Sequence, residues 1–340
     1  MLKRLKVGMG PVSDCGIHCR TNRLHGGRVM KNLWIVKDEV TDALNQERPV
    51  LAFESTVLTH GLPYPVSRDL ALRVESIARE EGCVPATMGI IDGVVHVGMT
   101  PEEIDRLAAD GAASRAVKAS GHDIAFVVAS GMSAGVTVSG TLAIAERAGV
   151  RVFATGGIGG VHRGASETFD ISHDLVSIAR SPVVTVCAGA KAILDLPKTM
   201  EYLETVGVCV LGYRTDRLPA FYSADSGIPL SWRVESADEV ADAFLAREEL
   251  GIHGGLLVAA PIPVEKELSS EEIDAAIEDA VALADERGVR GKALTPYLLA
   301  RLAETTGGRS VEANLGLLEN NARVGAEIAR AISCKLRERG

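Results

Sequence analysis

The segment from Thr155 to Thr199 carries the residues whose types and spacing best suit covalent chemistry. It combines a glycine-rich stretch, an Asp-Ile-Ser-His-Asp cluster and Lys191, which directly follows the apolar run PVVTVCAGA (182–190). Continuous β-branched and apolar residues predict a strand buried on both faces. An ammonium at the exit of such a strand is partly stripped of water, which favours the neutral, nucleophilic amine. Lys191 is therefore a candidate for Schiff-base chemistry.

Glu54 is a candidate general acid or base. In the stretch FESTVLTHGLPYP (53–65) it ends an apolar run and precedes hydroxyl side chains, a histidine and two prolines. Apolar surroundings raise the pKa of a carboxyl group, which would suit Glu54 to proton transfer near neutral pH. A glutamate that caps a helix or braces a loop explains the same pattern equally well.

Two glycine-rich stretches could bind a phosphate group through their backbone amides. They are SGMSAGVTVSGT (130–141) and TGGIGGVHRG (155–164), and neither matches a dinucleotide fingerprint or a P-loop. Tight turns and close packing are the alternative explanation. Lys118 could pair with the same phosphate, or it could be an ordinary solvated surface lysine.

Asp170 is the candidate metal ligand, with Ser172, His173 and Asp174 close behind it. These hard oxygen donors suit Mg²⁺ or Mn²⁺. One carboxylate rarely builds a complete protein cage, so such an ion would keep several waters. An Asx-type cap of the following helix is the alternative role for Asp170.

His162 and Asn314 are further polar candidates. His162, beside Arg163, could contact an anion or shuttle protons, or it could be a loop histidine bound to backbone. Asn314 lies with Asn320 and Asn321 on an apolar helical segment. Buried asparagine needs hydrogen-bond partners, so ligand contact and bonding between helices are both open.

These candidates follow strand-like runs, which alternate with helix-like segments from about residue 36 onward. Such alternation predicts an α/β fold with a mixed, largely parallel sheet covered on both faces. Ligands of these sheets bind beyond the carboxyl ends of the strands, so Glu54, Ser130, Thr155 and Lys191 should converge on one rim. The predicted strands are PVLAFES (49–55), IAFVVAS (124–130), VRVFAT (150–155), PVVTVCAGA (182–190), VCVLGY (208–213) and GGLLVAAP (254–261).

Local signals mark one helix and one long loop. Thr100, Pro101 and Glu103 supply an N-cap, a proline for the first turn and a capping-box glutamate, and Gly111 should end that helix. The stretch from Gly212 to Val234 is rich in Pro, Tyr, Ser and Asp and predicts a loop that covers the site.

Composition excludes several classes of function. The chain has 340 residues, 46% of them hydrophobic, and a formal net charge of -9, which disfavours a nucleic-acid partner. Its apolar runs are too short for a membrane-spanning helix. Cys187 and Cys209 fall inside apolar runs, so buried free thiols and a cytoplasmic, reducing location are expected.

Residues 1–33 differ from the rest of the chain. They carry seven Lys and Arg against one acidic residue and lack the apolar core of a signal peptide. We expect a disordered basic extension or a start-site artefact, with Met30 as an alternative start, followed by a single α/β domain over 34–340. Asp14, Cys15, His18, Cys19 and His25 are of types that could ligate zinc, but their spacing matches no standard zinc finger.

Taken together, many long stretches resemble one family, the pseudouridine-5'-phosphate glycosidases, also met under the name indigoidine synthase A. The resemblance covers about residues 36 to 331. The signatures that carry it are ESTVLTHGLPYP, PATMGIIDG, ATGGIGGVHRGA, CAGAKAILDLPKTMEYLET, LPAFY, AAPIP and GKALTPYLLAR.

The resemblance implies a reaction and a set of roles. It implies reversible cleavage of the C–C glycosidic bond of pseudouridine 5'-phosphate to uracil and ribose 5-phosphate, a three-layer α/β/α fold and a homotrimer. By match, Lys191 forms an imine with the opened ribose, Glu54 donates a proton, and Asp170 holds one Mn²⁺ per subunit. The residues it places in contact with substrate are Lys118, Val138, Ser172, His173, Asp174, His162 and Asn314.

Two other functions fit the same residues. One is another Schiff-base lyase, such as an aldolase acting on a sugar phosphate. The other is a non-catalytic phosphosugar sensor, which would bind its ligand without turnover and would not depend on the nucleophile Lys191.

Overall fold

The computed structural model of the protein describes residues 32–289 and 291–339. A sheet of eleven strands crosses the centre of this part of the chain. The strands are β1 (Trp34–Val36), β2 (Val50–Phe53), β3 (Val84–Ile91), β4 (Val94–Val97), β5 (Val117–Ala119), β6 (Ala134–Val136), β7 (Val152–Ala154), β8 (Val184–Cys187), β9 (Cys209–Tyr213), β10 (Trp232–Val234) and β11 (Leu256–Ala259).

The sheet is mixed and largely parallel, as the sequence predicts. Its order is β1-β4-β3-β2-β7-β8-β11-β9-β10, with β6 paired to β3 and β5 paired to β6. All neighbours from β3 through β2 to β10 are parallel, whereas the β3–β4 and β3–β6 pairs are antiparallel. The carboxyl ends of β2, β7 and β8 therefore lie side by side at one edge.

Helices connect most of these strands. They are α1 (Asp38–Asn45), α2 (Val66–Glu80), α3 (Pro101–Ala112), α4 (Ile124–Ala129), α5 (Val138–Ala148), α6 (Ala165–Thr168), α7 (His173–Arg180), α8 (Leu196–Thr205), α9 (Ala237–Glu249), α10 (Ser270–Glu286), α11 (Leu294–Thr305) and α12 (Arg309–Arg339). A π-helical turn over Val57–Gly61 follows β2. None of the helices among the described residues is long and apolar enough to cross a membrane.

Both faces of the sheet are buried, which confirms three α/β/α layers. On β2, Val50 and Ala52 belong to one hydrophobic cluster, while the alternating Leu51 and Phe53 belong to another. Helices α5, α7 and α10 cover the first face, and α2, α9 and the second half of α12 cover the other. Continuous apolar strands are the sequence mark of such two-sided burial.

Most of the predicted elements are confirmed. Five of the six predicted strands contain β2, β7, β8, β9 and β11. At the start of α3, the Thr100 hydroxyl accepts a hydrogen bond from the amide of Glu103, and the Glu103 carboxylate accepts one from the amide of Thr100. Helix α3 ends at Ala112, one residue beyond Gly111.

The strand prediction for IAFVVAS (124–130) is wrong, because this segment forms α4. The preceding turn carries a capping box between Ser120 and Asp123, which favours helical backbone over a strand. Phe126 is 71% exposed, so the apolar run is not a buried strand. Ser130 consequently caps a helix and does not join the rim. The candidate zinc residues and the rest of 1–31 lie outside the described residues.

Candidate active site

A cavity of about 330 Å³ lies beyond the carboxyl ends of β2, β7 and β8. The parallel register of these strands places their ends at the same level, which gathers segments far apart in sequence. All ten side chains that the sequence singles out for the site line this cavity: Glu54, Lys118, Val138, His162, Asp170, Ser172, His173, Asp174, Lys191 and Asn314.

Glu54 directly follows β2 and lines the cavity together with Lys191. The Thr155 hydroxyl, which follows β7, donates a hydrogen bond to its carboxyl group. Burial raises the pKa of the Glu54 carboxyl, and the charge of Lys191 and the Thr155 hydrogen bond oppose that rise. Since burial is the largest of these influences, the site favours the protonated acid more than water does.

Lys191 projects into the cavity from the turn after β8. Its Nζ donates a hydrogen bond of 2.6 Å to the carbonyl oxygen of Gly157, and its backbone amide donates to the carbonyl of Ile158 at 3.1 Å. Within the described residues, the hydrogen-bond partner of the Lys191 side chain is thus a carbonyl oxygen and not a carboxylate. The amine is held in place without a permanent ion pair, as a nucleophile requires.

The turn before Lys191 and the loop after β7 both depend on glycine. At Gly189, with φ of +84°, a Cβ atom would lie 2.2 Å from the carbonyl oxygen of Pro219. At Gly157, a Cβ atom would lie 2.5 Å from the ring of Phe221, which also lines the cavity. The loop over residues 214–231 can therefore pack directly against the lysine turn, and its Phe221 closes one wall.

Asp174 joins two parts of the polar end of the cavity. Its Oδ1 accepts a hydrogen bond from the amide of Ser139, and its Oδ2 accepts one from the amide of Gly159, both at 2.9 Å. The glycine loop is thereby tied to the first turn of α5. Asp174 is buried, and both of its oxygens serve backbone amides, so its geometry is that of a brace.

The polar wall of this end comes from separate elements. Lys118 lies on β5, Val138 begins α5, and Ser172 caps α7 by accepting a hydrogen bond from the amide of Asp174. His173 is the first residue of α7 and is exposed. A cation, the first amide of a helix and a hydroxyl in the wall of one cavity suit a phosphate group.

Asp170 and His162 lie on the loop between β7 and α7. Burial lowers the pKa of the His162 imidazole, while the Asp170 carboxylate raises it. In the described chain no group of three His, Cys, Asp or Glu side chains comes together to hold a metal ion. The donor set therefore does not suit zinc, but a lone carboxylate oxygen does suit a Mg²⁺ or Mn²⁺ ion that keeps most of its water.

Two of the three asparagines of α12 bond to loops, where the sequence leaves ligand contact and bonding between helices open. Asn321 donates to the carbonyl of Thr155 at 2.8 Å, and Asn320 donates to the carbonyl of Pro261 at 3.1 Å. These two bind α12 to the loops beyond the strands. Asn314 is buried and lines the cavity instead.

Sequence reasoning gave no role to several residues of the cavity wall. His60 lies in the same segment as Glu54, and Thr295, Pro296 and Leu299 come from the start of α11. The position of His60 six residues after the candidate acid was a usable signal. Nothing local in the sequence indicates that α11 returns over the site.

Comparison with known proteins places the chain in a family. Residues 39–331 match the family described as indigoidine synthase A like protein. The pseudouridine-5'-phosphate glycosidase of Caldanaerobacter subterraneus is 51% identical over 294 residues, which cover 86% of this chain and 95% of the relative. The enzyme of the same name from Escherichia coli is 49% identical over 303 residues, covering 89% and 96%.

Two crystal structures are also similar. The prealnumycin C-glycosynthase AlnA, determined in complex with ribulose 5-phosphate, shares 39% identity with a TM-score of 0.81 and covers 91% of this chain and 99% of its own. An indigoidine synthase A-like protein from Thermotoga maritima shares 36% identity with a TM-score of 0.81, covering 89% and 97%. The chain belongs to the indigoidine synthase A-like family, that of the pseudouridine-5'-phosphate glycosidases.

Proposed function

We propose that this protein reversibly cleaves the C–C glycosidic bond of pseudouridine 5'-phosphate, giving uracil and ribose 5-phosphate. Relatives about half identical over most of the chain carry the name of this activity. A structural neighbour has been determined with a pentose phosphate, which supports the same class of ligand here.

One observation carries the proposal. An amine without an ion pair (Lys191) and a carboxyl group with a raised pKa (Glu54) face the same cavity, whose other end suits a phosphate. A carbon–carbon bond to a sugar cannot be broken by protonation of a leaving nitrogen or oxygen. It needs a group on C1' of the sugar that donates electrons as the bond breaks, and an acid that protonates the uracil carbon, and these two side chains supply them.

In the direction of cleavage, the neutral amine of Lys191 attacks C1' of the ribose. The C–N bond forms as the C1'–O4' bond breaks, and the proton that the attacking nitrogen loses passes to O4', which opens the ring and restores the nitrogen lone pair. The nitrogen lone pair then forms a C=N bond while the electrons of the C1'–C5 bond return to the uracil ring. Carbon C5 receives its proton from Glu54, and water releases ribose 5-phosphate from the imine.

The remaining residues bind and orient the substrate. Lys118 and the amide of Val138 at the start of α5 bind the phosphate, and Asp174, which accepts hydrogen bonds from the amides of Ser139 and Gly159, holds this part of the cavity wall in place. Ser172, His173 and His162 complete this end, with Asn314 on the opposite wall. Val138 supplies a backbone amide at the first position of α5.

Asp170 would hold a Mn²⁺ ion, one per subunit, through one carboxylate oxygen and otherwise through water. When bound, the ion supplies positive charge next to the phosphate end. We further propose a homotrimer, which the family resemblance supports. We also propose a cytoplasmic location, which the buried free thiols of Cys83 and Cys187 support.

The decisive assay incubates the purified protein with uracil, ribose 5-phosphate and Mn²⁺ and follows formation of pseudouridine 5'-phosphate by chromatography. In parallel, borohydride reduction with ribose 5-phosphate should attach the reduced pentose phosphate to the peptide that contains Lys191. Uracil-independent consumption of the sugar phosphate would indicate an aldolase instead. Tight binding of the sugar phosphate with neither product nor adduct would indicate a sensor.

A further inference from the structure

His60 enters the cavity from the π-helical turn Val57–Gly61, which follows Glu54. It is half-buried, and it lines both the cavity and an adjoining groove of about 380 Å³. Only a few residues are shared by the two spaces: His60, Gly61, Pro296, Leu299 and Asn314. His60 therefore lies at the junction between them, and so does Asn314.

The hydrogen bonds of His60 determine which of its nitrogens carries the proton. The Thr59 hydroxyl donates its single hydrogen to the carbonyl oxygen of Ser55 at 3.3 Å. The Thr59 hydroxyl oxygen lies 2.7 Å from Nδ1 of His60, and with the hydroxyl hydrogen directed at Ser55 the donor in that contact is Nδ1. The tautomer assigned from this network leaves Nε2 with a lone pair and no hydrogen.

The Thr59 hydroxyl is itself held in place by two glycines. A Cβ atom at Gly135 on β6 would lie 2.1 Å from Thr59 Oγ1, and one at Gly111 on α3 would lie 2.4 Å from Thr59 Cα. Two separate elements thus leave no room for the threonine to move. The orientation of the His60 ring is therefore set by the packed structure rather than by a flexible loop.

The imidazole is also kept neutral. Burial lowers the pKa of His60, and the charge of Lys118 lowers it further. Nδ1 and Nε2 consequently remain one donor and one acceptor at neutral pH. A neutral acceptor of this kind attracts N–H and O–H groups and gives no attraction to a phosphate.

The walls beside His60 suit a planar ring. Val57, Pro296, Leu299 and Leu318 contribute apolar surface to this end of the cavity. The Asn314 amide offers both a donor and an acceptor across it. Uracil presents ring N–H donors alternating with carbonyl acceptors along one edge, which complements an acceptor and an amide.

We propose that Nε2 of His60 accepts a hydrogen bond from a ring N–H of uracil and thereby selects the base. This inference rests on the proposed function and adds a specificity residue to it. His60 acts in base binding and takes no part in forming the imine. A sugar hydroxyl is the competing donor, and the test separates the two.

The test compares wild type with His60→Phe, which keeps a ring but removes the acceptor, and His60→Gln, which restores an acceptor oxygen. His253→Phe is the matched control, because His253 is exposed at the opposite end of the sheet, before β11. For His60→Phe we expect the KM for uracil to rise about 5- to 100-fold, because the ring N–H of the bound uracil would be left without a hydrogen-bond acceptor. His60→Gln should recover part of this loss, and His253→Phe should match wild type.

Methylated bases identify the donor. Wild type should reject either 1-methyluracil or 3-methyluracil, and His60→Phe should discriminate much less between that base and uracil. Borohydride trapping of ribose 5-phosphate should stay within about twofold of wild type. An unchanged KM and unchanged discrimination in His60→Phe would overturn the inference, as would an equal loss of trapping, which would indicate a contact to the sugar.

Calorimetric binding of uracil keeps this inference separate from the proposed reaction. Should wild type make neither product nor adduct, the reaction is wrong, yet binding of uracil that weakens in His60→Phe still supports base recognition. Thermal unfolding of each variant excludes general misfolding, and His60→Gln provides a second test should His60→Phe unfold.

Discussion

The two halves of the sheet contribute different things to the cavity. The parallel half, from β2 through β7 and β8 to β10, delivers the groups proposed to react, Glu54 and Lys191, from strand ends in register. The mixed half, β3 to β6, delivers Lys118, borders the start of α5 and supports the turn that carries His60. The groups proposed to react thus follow buried strands in the parallel half of the sheet, whereas Lys118 and the support for the His60 turn come from the mixed half.

This division has a physical reason. A strand buried on both faces and paired on both edges fixes the position of the residue that follows it, which suits groups that must meet within bonding distance. Strands β5 and β6 have three residues each and lie off the main path of the sheet. They tolerate sharp turns and glycine contacts, which can shape a binding wall.

The largest effect should come from the nucleophile. Lys191→Ala removes the amine that forms the imine, so we expect the rate of bond cleavage to fall more than about 10⁴-fold, as it does when other nucleophiles are deleted. Lys198→Ala is the control, since Lys198 lies nearby on α8 in an exposed ion pair with Asp195. Stopped-time chromatography of uracil release measures both, and retained turnover in Lys191→Ala would remove Lys191 from the mechanism.

The next largest effect should come from the acid. Glu54→Gln should lower the cleavage rate about 10²- to 10⁴-fold, the usual worth of general acid catalysis. It should leave trapping of ribose 5-phosphate on Lys191 intact, because imine formation from the free sugar phosphate does not use the proton delivered to uracil.

The pH dependence sharpens this test. The pKa of Glu54 is raised by burial, so the acid form persists above the ordinary glutamate range and is lost as pH rises further. Cleavage should therefore fall on an alkaline limb in kcat/KM, and that limb should vanish in Glu54→Gln. Glu75→Gln is the matched control, because burial also raises the pKa of Glu75, which bonds Thr87 away from the cavity. A limb that persists in Glu54→Gln would assign it to another group.

The same division explains what the sequence can predict. Strands β2, β7 and β8 appear in sequence as continuous apolar runs, and Glu54, Thr155 and Lys191 follow those runs directly. Strands β5 and β6 are too short to show a period, and glycine interrupts β6 at Gly135. IAFVVAS looks like a buried strand by composition, yet the capping turn before it and its place outside the sheet make it a helix. The capping box was a local signal for the helix, whereas the position of this segment outside the sheet is tertiary information that local sequence does not contain.

In the mixed half, Lys118 should matter for binding more than for chemistry. Lys118→Met removes a charge proposed to pair with phosphate, so we expect the KM for the sugar phosphate to rise about 10- to 100-fold, the worth of one charge-assisted hydrogen bond. The kcat should change much less. Lys118→Arg keeps the charge and should lie between the two. Initial-rate kinetics give both constants, and a fall confined to kcat would move Lys118 into the reacting group.

The smallest effect on chemistry should come from Gly135, whose missing side chain makes room for Thr59. In Gly135→Ala the new methyl group would overlap Thr59 Oγ1 and approach the carbonyl oxygen of Ser55, placed 2.1 and 2.7 Å away. We expect the free energy of unfolding to drop by about 1–3 kcal/mol, the usual cost of overpacking. Urea unfolding followed by circular dichroism measures it.

The double variant Gly135→Ala with Thr59→Ala tests the cause of that loss. Removing the hydroxyl relieves the closer of the two overlaps. The double variant should therefore lose less free energy of unfolding than the two single variants lose together, by about 0.5–3 kcal/mol, the range seen for directly contacting residues. Strict additivity would mean that the mixed half does not position the turn through this contact. A positive coupling accompanied by a higher KM for uracil in Gly135→Ala would link packing on β6 to the orientation of His60, and so to recognition of the base.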